Sequence, residues 1–216
     1  MSETVYRITQ IEPQKHAAER FSIYLDGAFA FGLDGEVVLR HHLHEGDELS
    51  ESVIDGVLLS EERSRAKKKA LSLLARSARS VHELRNRLLQ YEFSPRTVDR
   101  LVQDFIRVGL LDDKTFALMY ARSRLAQRSM GKRFLKQELL QKGIDETLAE
   151  SAVSEAYGSV AEDELARRLV DKKIRQMDTK DKRAIQHKLS AFLFRRGFNW
   201  DVIAPIVQEK TWETED

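Results

Sequence analysis

The chain has 216 residues, 33% charged, 42% hydrophobic and 8% aromatic, with no cysteine and a net charge of +1. Such a mixture excludes collagen-like, mucin-like and fully disordered chains, and the lack of cysteine excludes a disulfide framework, a thiolate metal site and a cysteine nucleophile. No apolar run approaches the ~20 residues that cross a bilayer, and the opening MSETVYRITQIEPQ lacks an apolar signal core, so a cytoplasmic protein outside any membrane is expected.

The near-neutral total conceals an asymmetry. Residues 1–62 hold four Lys/Arg against thirteen Asp/Glu, a balance of −9. Residues 63–142 hold twenty against seven, a balance of +13, and residues 143–216 hold twelve against fifteen, a balance of −3. A basic block between acidic ends suits an anionic partner such as a nucleic acid, and equally suits a solvated helical surface.

In chain order, the first sixty residues read as strand-rich. Tyr6, Ile8 and Ile11 alternate before Pro13, and the apolar residues 21–25 lead through Asp26-Gly27 into residues 28–31. Asp-Gly between apolar runs signals a hairpin, because both central residues of a type I′ turn need positive φ. Asp34-Gly35 is placed to start a short helix over 36–43, and Gly46-Asp47 breaks the chain again. Two or three strands are expected here, too few for an enzyme core. Ser50 is a fair N-cap for a long helix reaching about Ser77. From there only Pro95 and Pro205 occur in 167 residues, and the glycines sit at punctuation points, so the remainder is expected to be helical.

That helical part repeats. Leu84, Leu88, Leu89, Phe93, Thr97, Leu101 and Val102 become Leu135, Leu139, Leu140, Ile144, Leu148, Ala152 and Val153 at an offset of 51. At an offset of 105 they become Leu189, Leu193, Phe194, Phe198, Val202, Ile206 and Val207. Only Thr97 breaks the apolar match. The residue before the central anchor is Glu92, Gly143 or Gly197, and the residue after it is Ser94, Asp145 or Asn199. Glycine suits the left-handed position that ends a helix, and Ser, Asp and Asn are preferred N-caps. Pro95 follows Ser94 in the first turn, where its missing donor costs nothing, and Ser80 with Glu83 makes a capping box. A preceding helix is expected in each copy, near 63–78, 113–129 (capped by Asp112 or Asp113) and 162–177. Each three-helix unit buries little alone, so packing of neighbours is the expected source of stability.

Catalytic signatures fail. Gly27 and Gly32 have the spacing of a phosphate loop, but Leu33 and Asp34 stand where Lys and Ser/Thr are required. No Gly-x-Ser-x-Gly elbow exists. His41-His42-Leu43-His44 could ligate a metal by spacing, but a solvent-facing helix end is the simpler reading. Asp112-Asp113 is read as a helix cap, where the macrodipole favours negative charge, and needs no metal.

Basic side chains are the better lead. Arg63 and Lys67, and Arg65 and Lys69, share helix faces four residues apart. Arg122, Arg124, Arg128, Lys132, Arg133 and Lys136 cluster around Gly131, Arg167, Arg168, Lys172, Lys173 and Arg175 form a third group, and Lys182, Arg183, Arg195 and Arg196 follow. Such a surface neutralises phosphates and gives salt-sensitive affinity. Phe116, Tyr120, Phe192, Phe194, Phe198 and Trp200 could stack on bases, although their helical spacing favours core packing.

The run GLLDDKTFA at 109–117 resembles the junction between the first two units of the RecX regulatory family. Residues 80–84 through Leu88, 131–135, Glu138-Leu139 and Gly143-Ile144 fit the same pattern, and YLDGAFAFGL at 24–33 is similar to the extra N-terminal segment of its longer members. Glu92 departs from the usual glycine, which puts the tightness of the first inner turn in question. The resemblance implies a non-enzymatic regulator built from tandem three-helix units. It would bind a RecA-type recombinase and its nucleoprotein filament on single-stranded DNA, lie in the filament groove, restrain ATP hydrolysis, filament growth and strand exchange, and contact DNA. It fixes no individual contact residues, so candidates come from charge placement: Arg63, Lys67, Lys68, Arg122, Arg124, Arg128, Lys132, Arg133, Lys136, Arg167, Arg168, Lys172 and Lys173.

The expected fold is mainly α, with three tandem three-helix repeats (63–111, 112–161, 162–209) forming an elongated curved array. A small N-terminal β-hairpin segment with a short helix (1–62) precedes them, and an acidic tail (210–216), frayed from Thr211, follows. No cofactor, metal or membrane partner is expected, and the chain is read as a monomer. Reversing Arg122, Arg124 and Arg128 to Glu should weaken inhibition while sparing the fold. The rival reading is a helix-turn-helix-like protein acting on duplex DNA without a recombinase.

Overall fold

The structure, a computed structural model, describes residues 4–15, 17–158, 160–177 and 181–212, the side chains of Ala18 and Trp212 excepted. It divides into two compact units. One takes the chain up to Ser77 together with Leu84–Val108; the other takes Ala78–Glu83 and the chain from Gly109.

The first unit opens with an antiparallel sheet of β1 (Val5–Gln14), β2 (Ala17–Leu25), β3 (Ala28–Asp34) and β4 (Glu48–Ser50), in the order β3-β2-β1-β4. The β2–β3 turn is the expected Asp-Gly pair, with φ of 51° at Asp26 and 86° at Gly27. Strand β1 braces it: the Arg7 N–H donates to the Asp26 carboxylate at 3.0 Å, and the Gly27 N–H donates to Thr9 Oγ1 at 3.0 Å. Four strands exceed the two or three expected. The additional β4 is three residues long with only Leu49 buried, too short to show alternation. Pro13 lies inside β1 because β4 pairs only with Val5, Tyr6 and Arg7, so the proline faces no second partner strand.

Helix α1 (Gly35–Arg40) starts as expected, with the Asp34 carboxylate accepting from the Glu36 N–H, but ends three residues before Leu43. His42 turns left-handed with φ 49°, and the Leu43 N–H reaches back to the Val38 carbonyl at 3.1 Å, burying Leu43. Ile8, Ile23, Leu33, Val37, Leu43, Leu49 and Val57 form this part's core.

Val57 belongs to α2 (Glu51–Arg76), a single 26-residue helix capped by Ser50 and ending at Ser77. The division expected between residues 62 and 63 falls inside it. The two neighbouring acids of this helix turn different ways. Buried Glu61 accepts from Arg20 at 2.8 Å and from the Asp34 N–H at 2.6 Å, fastening the helix to β2 and β3. Glu62 instead accepts from the backbone N–H of Ser94, at the start of the helix that packs against α2 in the first helical domain.

That domain continues with α3 (Val81–Leu89) and α4 (Pro95–Arg107). The second domain is α5 (Asp113–Gln127), α6 (Lys132–Gln141) and α7 (Glu146–Tyr157), and the third is α8 (Glu162–Ile174), α9 (Lys182–Arg195) and α10 (Trp200–Trp212). The internal correspondence holds in burial. Leu84, Leu135 and Leu189 are fully buried, as are Leu88, Leu139 and Leu193, and Phe93, Ile144 and Phe198 are buried at the turn. The inner turns are left-handed at Glu92 (φ 62°), Gly143 (φ 77°) and Gly197 (φ 87°). The Ile144 and Phe198 amides donate to the Leu139 and Leu193 carbonyls at 3.1 and 3.2 Å, the six-residue closure of a Schellman end. The first turn takes the same left-handed conformation despite Glu92, at the cost of a strained backbone. Glu92 is exposed, so Glu92→Gly is expected to stabilise the protein by about 0.5–1 kcal/mol in urea denaturation. An unshifted midpoint would count against the strain.

In the second unit, Phe116, Leu135, Ile144, Val153, Val170, Leu189, Phe198 and Ile206 belong to one continuous core, so the second and third domains are fused by their interior. The tail expected to fray from Thr211 is corrected: Thr211 is buried in α10, its hydroxyl donating to the Val207 carbonyl at 2.8 Å. Residues 213–216 lie outside the described residues.

Candidate functional site

The cations of α2 occupy two faces. Arg63 and Lys67 line a cavity of about 290 Å³ with Arg40 and Arg100, and the half-buried Arg63 has its Nε enclosed without a hydrogen-bond partner. Arg65 and Lys69 line another of about 680 Å³, where they cover the rings of Phe93 and Tyr91 at 6.0 and 3.8 Å from the centroids. A hydrogen bond from Lys69 leads the causes that hold the Tyr91 hydroxyl below its ordinary pKa. Lys68, one residue away, pairs with Asp34 and, at 3.4 Å, with Glu19. It fastens the helix to the sheet and is not a free cation.

The α5–α6 cluster is also divided. Arg124 pairs with Glu138 through Nε at 2.7 Å, both half-buried, and the Tyr120 hydroxyl donates to the same carboxylate at 3.2 Å. That arginine is the leading reason Glu138 sits below the usual carboxylate range. Reversing Arg124 would set two carboxylates together in a half-buried site. The expectation that a triple reversal of Arg122, Arg124 and Arg128 spares the fold is thus corrected at Arg124. Arg122 pairs with Glu155 at 3.0 Å on the surface, and Lys136 with Glu146 and Glu150 at 2.7 and 2.6 Å. Lys132 is 3.6 Å from Glu162 and over the Tyr157 ring at 5.4 Å. Arg133 donates to the Phe194 carbonyl at 2.5 Å and covers its ring at 4.0 Å. Arg128 is exposed and forms no ion pair among the described residues.

In the third group Arg167 pairs with Glu209, Arg168 is 3.8 Å from Glu164, Lys173 covers Phe192 at 5.8 Å, and Lys172 is exposed. Exposed pairs of this kind contribute about 0–1 kcal/mol each and exchange readily for an external anion. The paired surface cations remain usable, whereas Lys68 and Arg124 are committed. Of the aromatics, Phe116 and Phe198 are core, Tyr120 and Phe192 half-buried, and Phe194 and Trp200 exposed.

The polar pairs read as caps behave as such. Ser80 and Glu83 exchange amide bonds at 3.0 and 3.3 Å. Asp112 accepts from the Lys114 N–H at 3.0 Å, while Asp113 accepts from the Val81 N–H at 2.9 Å, capping a different helix. Burial leads the causes that raise the Asp113 pKa, whereas the Thr115 hydroxyl leads those that lower Asp112. His41 Nε2 lies 2.8 Å from Ser60 Oγ, and His44 faces Asp47 at 3.7 Å. Among the described residues no group of three His, Asp or Glu could hold a metal, and no helix is long and apolar enough to cross a membrane.

Fold and surface together define a class: tandem three-helix domains behind a small antiparallel sheet, studded with cations and aromatic rings. Four family models match in succession, described as the regulatory protein RecX N-terminal domain (residues 6–50) and the first (66–105), second (112–153) and third (161–207) three-helix domains of RecX. The chain belongs to the RecX family of regulatory proteins. It is 30% identical to a regulatory protein RecX of Clostridium perfringens strain SM101, over 95% of this chain and 96% of the relative. It is 29% identical to one of Bacillus cytotoxicus, over 97% of this chain and 78% of the relative. A crystal structure of a regulatory protein RecX superposes with a TM-score of 0.70 at 26% identity, covering 93% of this chain and 98% of the other. A RecX structure from Lactobacillus salivarius gives 0.64 at 26% identity, covering 69% and 97%.

Proposed function

We propose that the protein binds a RecA-type recombinase assembled on single-stranded DNA and restrains its ATP hydrolysis, filament growth and strand exchange, acting as a monomer in the cytoplasm by binding rather than by catalysis. The observation that carries this reading is the succession of four RecX domains along residues 6–207. The cations on α2, α5, α6 and α8 support it physically. A nucleoprotein filament presents phosphates and acidic side chains together, and cations recurring on successive domains make many modest contacts that add through avidity.

The test is the ATPase of a recombinase on single-stranded DNA, titrated with this protein. A fall in hydrolysis at protein levels below the recombinase, relieved by added salt, is the expected result. An unchanged rate, together with retention of this protein on a sequence-specific duplex, would overturn the reading in favour of a duplex-DNA regulator. A charge-reversed variant for this assay should combine Arg122→Glu and Arg128→Glu and leave Arg124 intact.

A further inference from the structure

The α5–α6 turn and the end of α9 enclose a cavity of about 240 Å³ lined by Arg128, Met130, Phe134, Phe192, Arg195 and Arg196. Three arginines and two phenylalanines line this one space, and none of the three arginines forms an ion pair among the described residues. Elsewhere in the unit Arg122, Arg124, Lys136 and Arg167 each have a carboxylate. The backbone enforces the gathering. The Gly131 N–H donates to the Arg196 carbonyl at 2.9 Å and the Arg133 N–H to the Gly197 carbonyl at 3.2 Å, locking the two turns together. Burial, and after it the charge of Arg128, holds the Arg196 guanidinium below its ordinary pKa. Arg196 also covers the Phe192 ring at 5.2 Å. The fold thus gathers like charges with no carboxylate among the described residues to balance them, an arrangement that suits an external anion.

We propose that this cavity binds a phosphodiester of single-stranded nucleic acid, with Arg128 and Arg195 on the phosphate oxygens and a neighbouring base against Phe192. The guanidinium fork matches phosphate oxygens two at a time. One such fork satisfies a carboxylate side chain. Three forks beside two uncharged rings match instead the alternation of charge and π-surface along a nucleic-acid strand. The inference rests on the reading that such a strand is part of the partner, and its test contains no recombinase, so the two fail separately.

The experiment is fluorescence anisotropy of a labelled oligothymidylate over a range of salt, comparing the unaltered protein with Arg128→Gln/Arg195→Gln. Both side chains are exposed, so the variant should fold, with a melting temperature at or above that of the parent once the repulsion is relieved. Its affinity should fall by about tenfold, and the slope of log affinity against log salt should drop by about 1–2. Phe192→Leu should lose about fivefold in affinity at an unchanged slope. Equal affinity and slope for the folded double variant would overturn the site, and an unaffected Phe192→Leu would overturn its stacking half. An oligoglutamate of matched charge displacing the oligothymidylate from the parent as well as unlabelled oligothymidylate does would assign the cavity to protein carboxylates and overturn the proposal.

Discussion

Gly131→Ala is expected to lower the melting temperature by roughly 10 °C, the larger of the two strongest effects foreseen for single substitutions in this protein. Gly131 has an ordinary φ of −85° and precedes α6, so its backbone needs no glycine. Space is what it supplies. A methyl group there would overlap the Gly197 carbonyl and the Phe198 nitrogen, both backbone atoms that cannot swing aside. The same approach is closed from the other side, since a methyl on Gly197 would overlap the backbone nitrogen and Cβ of Phe134. Forcing the turns apart breaks the two amide bonds from Gly131 and Arg133 and opens the core at Phe198. Overpacking of about 1–3 kcal/mol and about 1 kcal/mol per lost hydrogen bond combine to roughly 3–5 kcal/mol. Gly56→Ala is the control: Gly56 lies in α2 with open space around it, so alanine should stabilise by about 0.5–1 kcal/mol. Circular-dichroism melts of both variants decide the matter, and a Gly131→Ala protein melting within about 2 °C of the parent would refute the wedge.

The contrast between these two glycines marks where the sequence stops being legible. The repeat at offsets of 51 and 105 reveals helices, caps and core because each copy must solve the same local problem. A carbonyl must be closed by a left-handed residue, an orphan amide needs an oxygen, and an apolar face needs cover. Those demands act within a few residues and leave periodic traces. Gly131 answers to Gly197, sixty-six residues away, and nothing near it in the chain records the debt. Strand β4 is illegible for a similar reason, since three residues paired to the start of β1 carry no period of their own.

The charged surface shows the same limit. Counting Lys and Arg identifies a basic block, but not which cations the fold consumes. Lys68 and Arg124 stand in that block and are tied to Asp34 and Glu138, carboxylates thirty-four and fourteen residues distant. Arg195 and Arg196 belong to a segment of slightly negative balance, yet they join Arg128 around one cavity of the second unit. Pair partners are fixed by tertiary placement, and a local charge sum averages over them.

Glu62→Gln should be the other large effect, about 2–3 kcal/mol, and should depend on pH. The Glu62 carboxylate accepts from the Ser94 N–H at 2.6 Å, from the Ser94 hydroxyl at 2.8 Å and from the Thr97 hydroxyl. It thereby closes the start of α4 from α2 and explains the one break in the apolar repeat. Thr97 is buried where the other copies place Leu148 and Val202, because its hydroxyl has an anion to meet. A glutamine keeps one oxygen but turns an NH₂ toward groups that are themselves donors. Burial works to raise the Glu62 pKa; the Thr97 hydrogen bond, then those of Ser94, then the charge of Arg65 outweigh it and hold it below its ordinary 4.5. A depressed carboxylate contributes stability that is complete above its unfolded pKa and lost as pH falls through the folded value. The gap between the parent and Glu62→Gln should therefore be full at neutral pH and close in the acid range beneath 4.5. Urea denaturation at a series of pH values reads this directly, and a gap constant into that range would show that the carboxylate is not what holds α4. Thr97→Val gives a second check. It should cost stability in the parent but much less beside Glu62→Gln, since the buried hydroxyl and the carboxylate exist for each other.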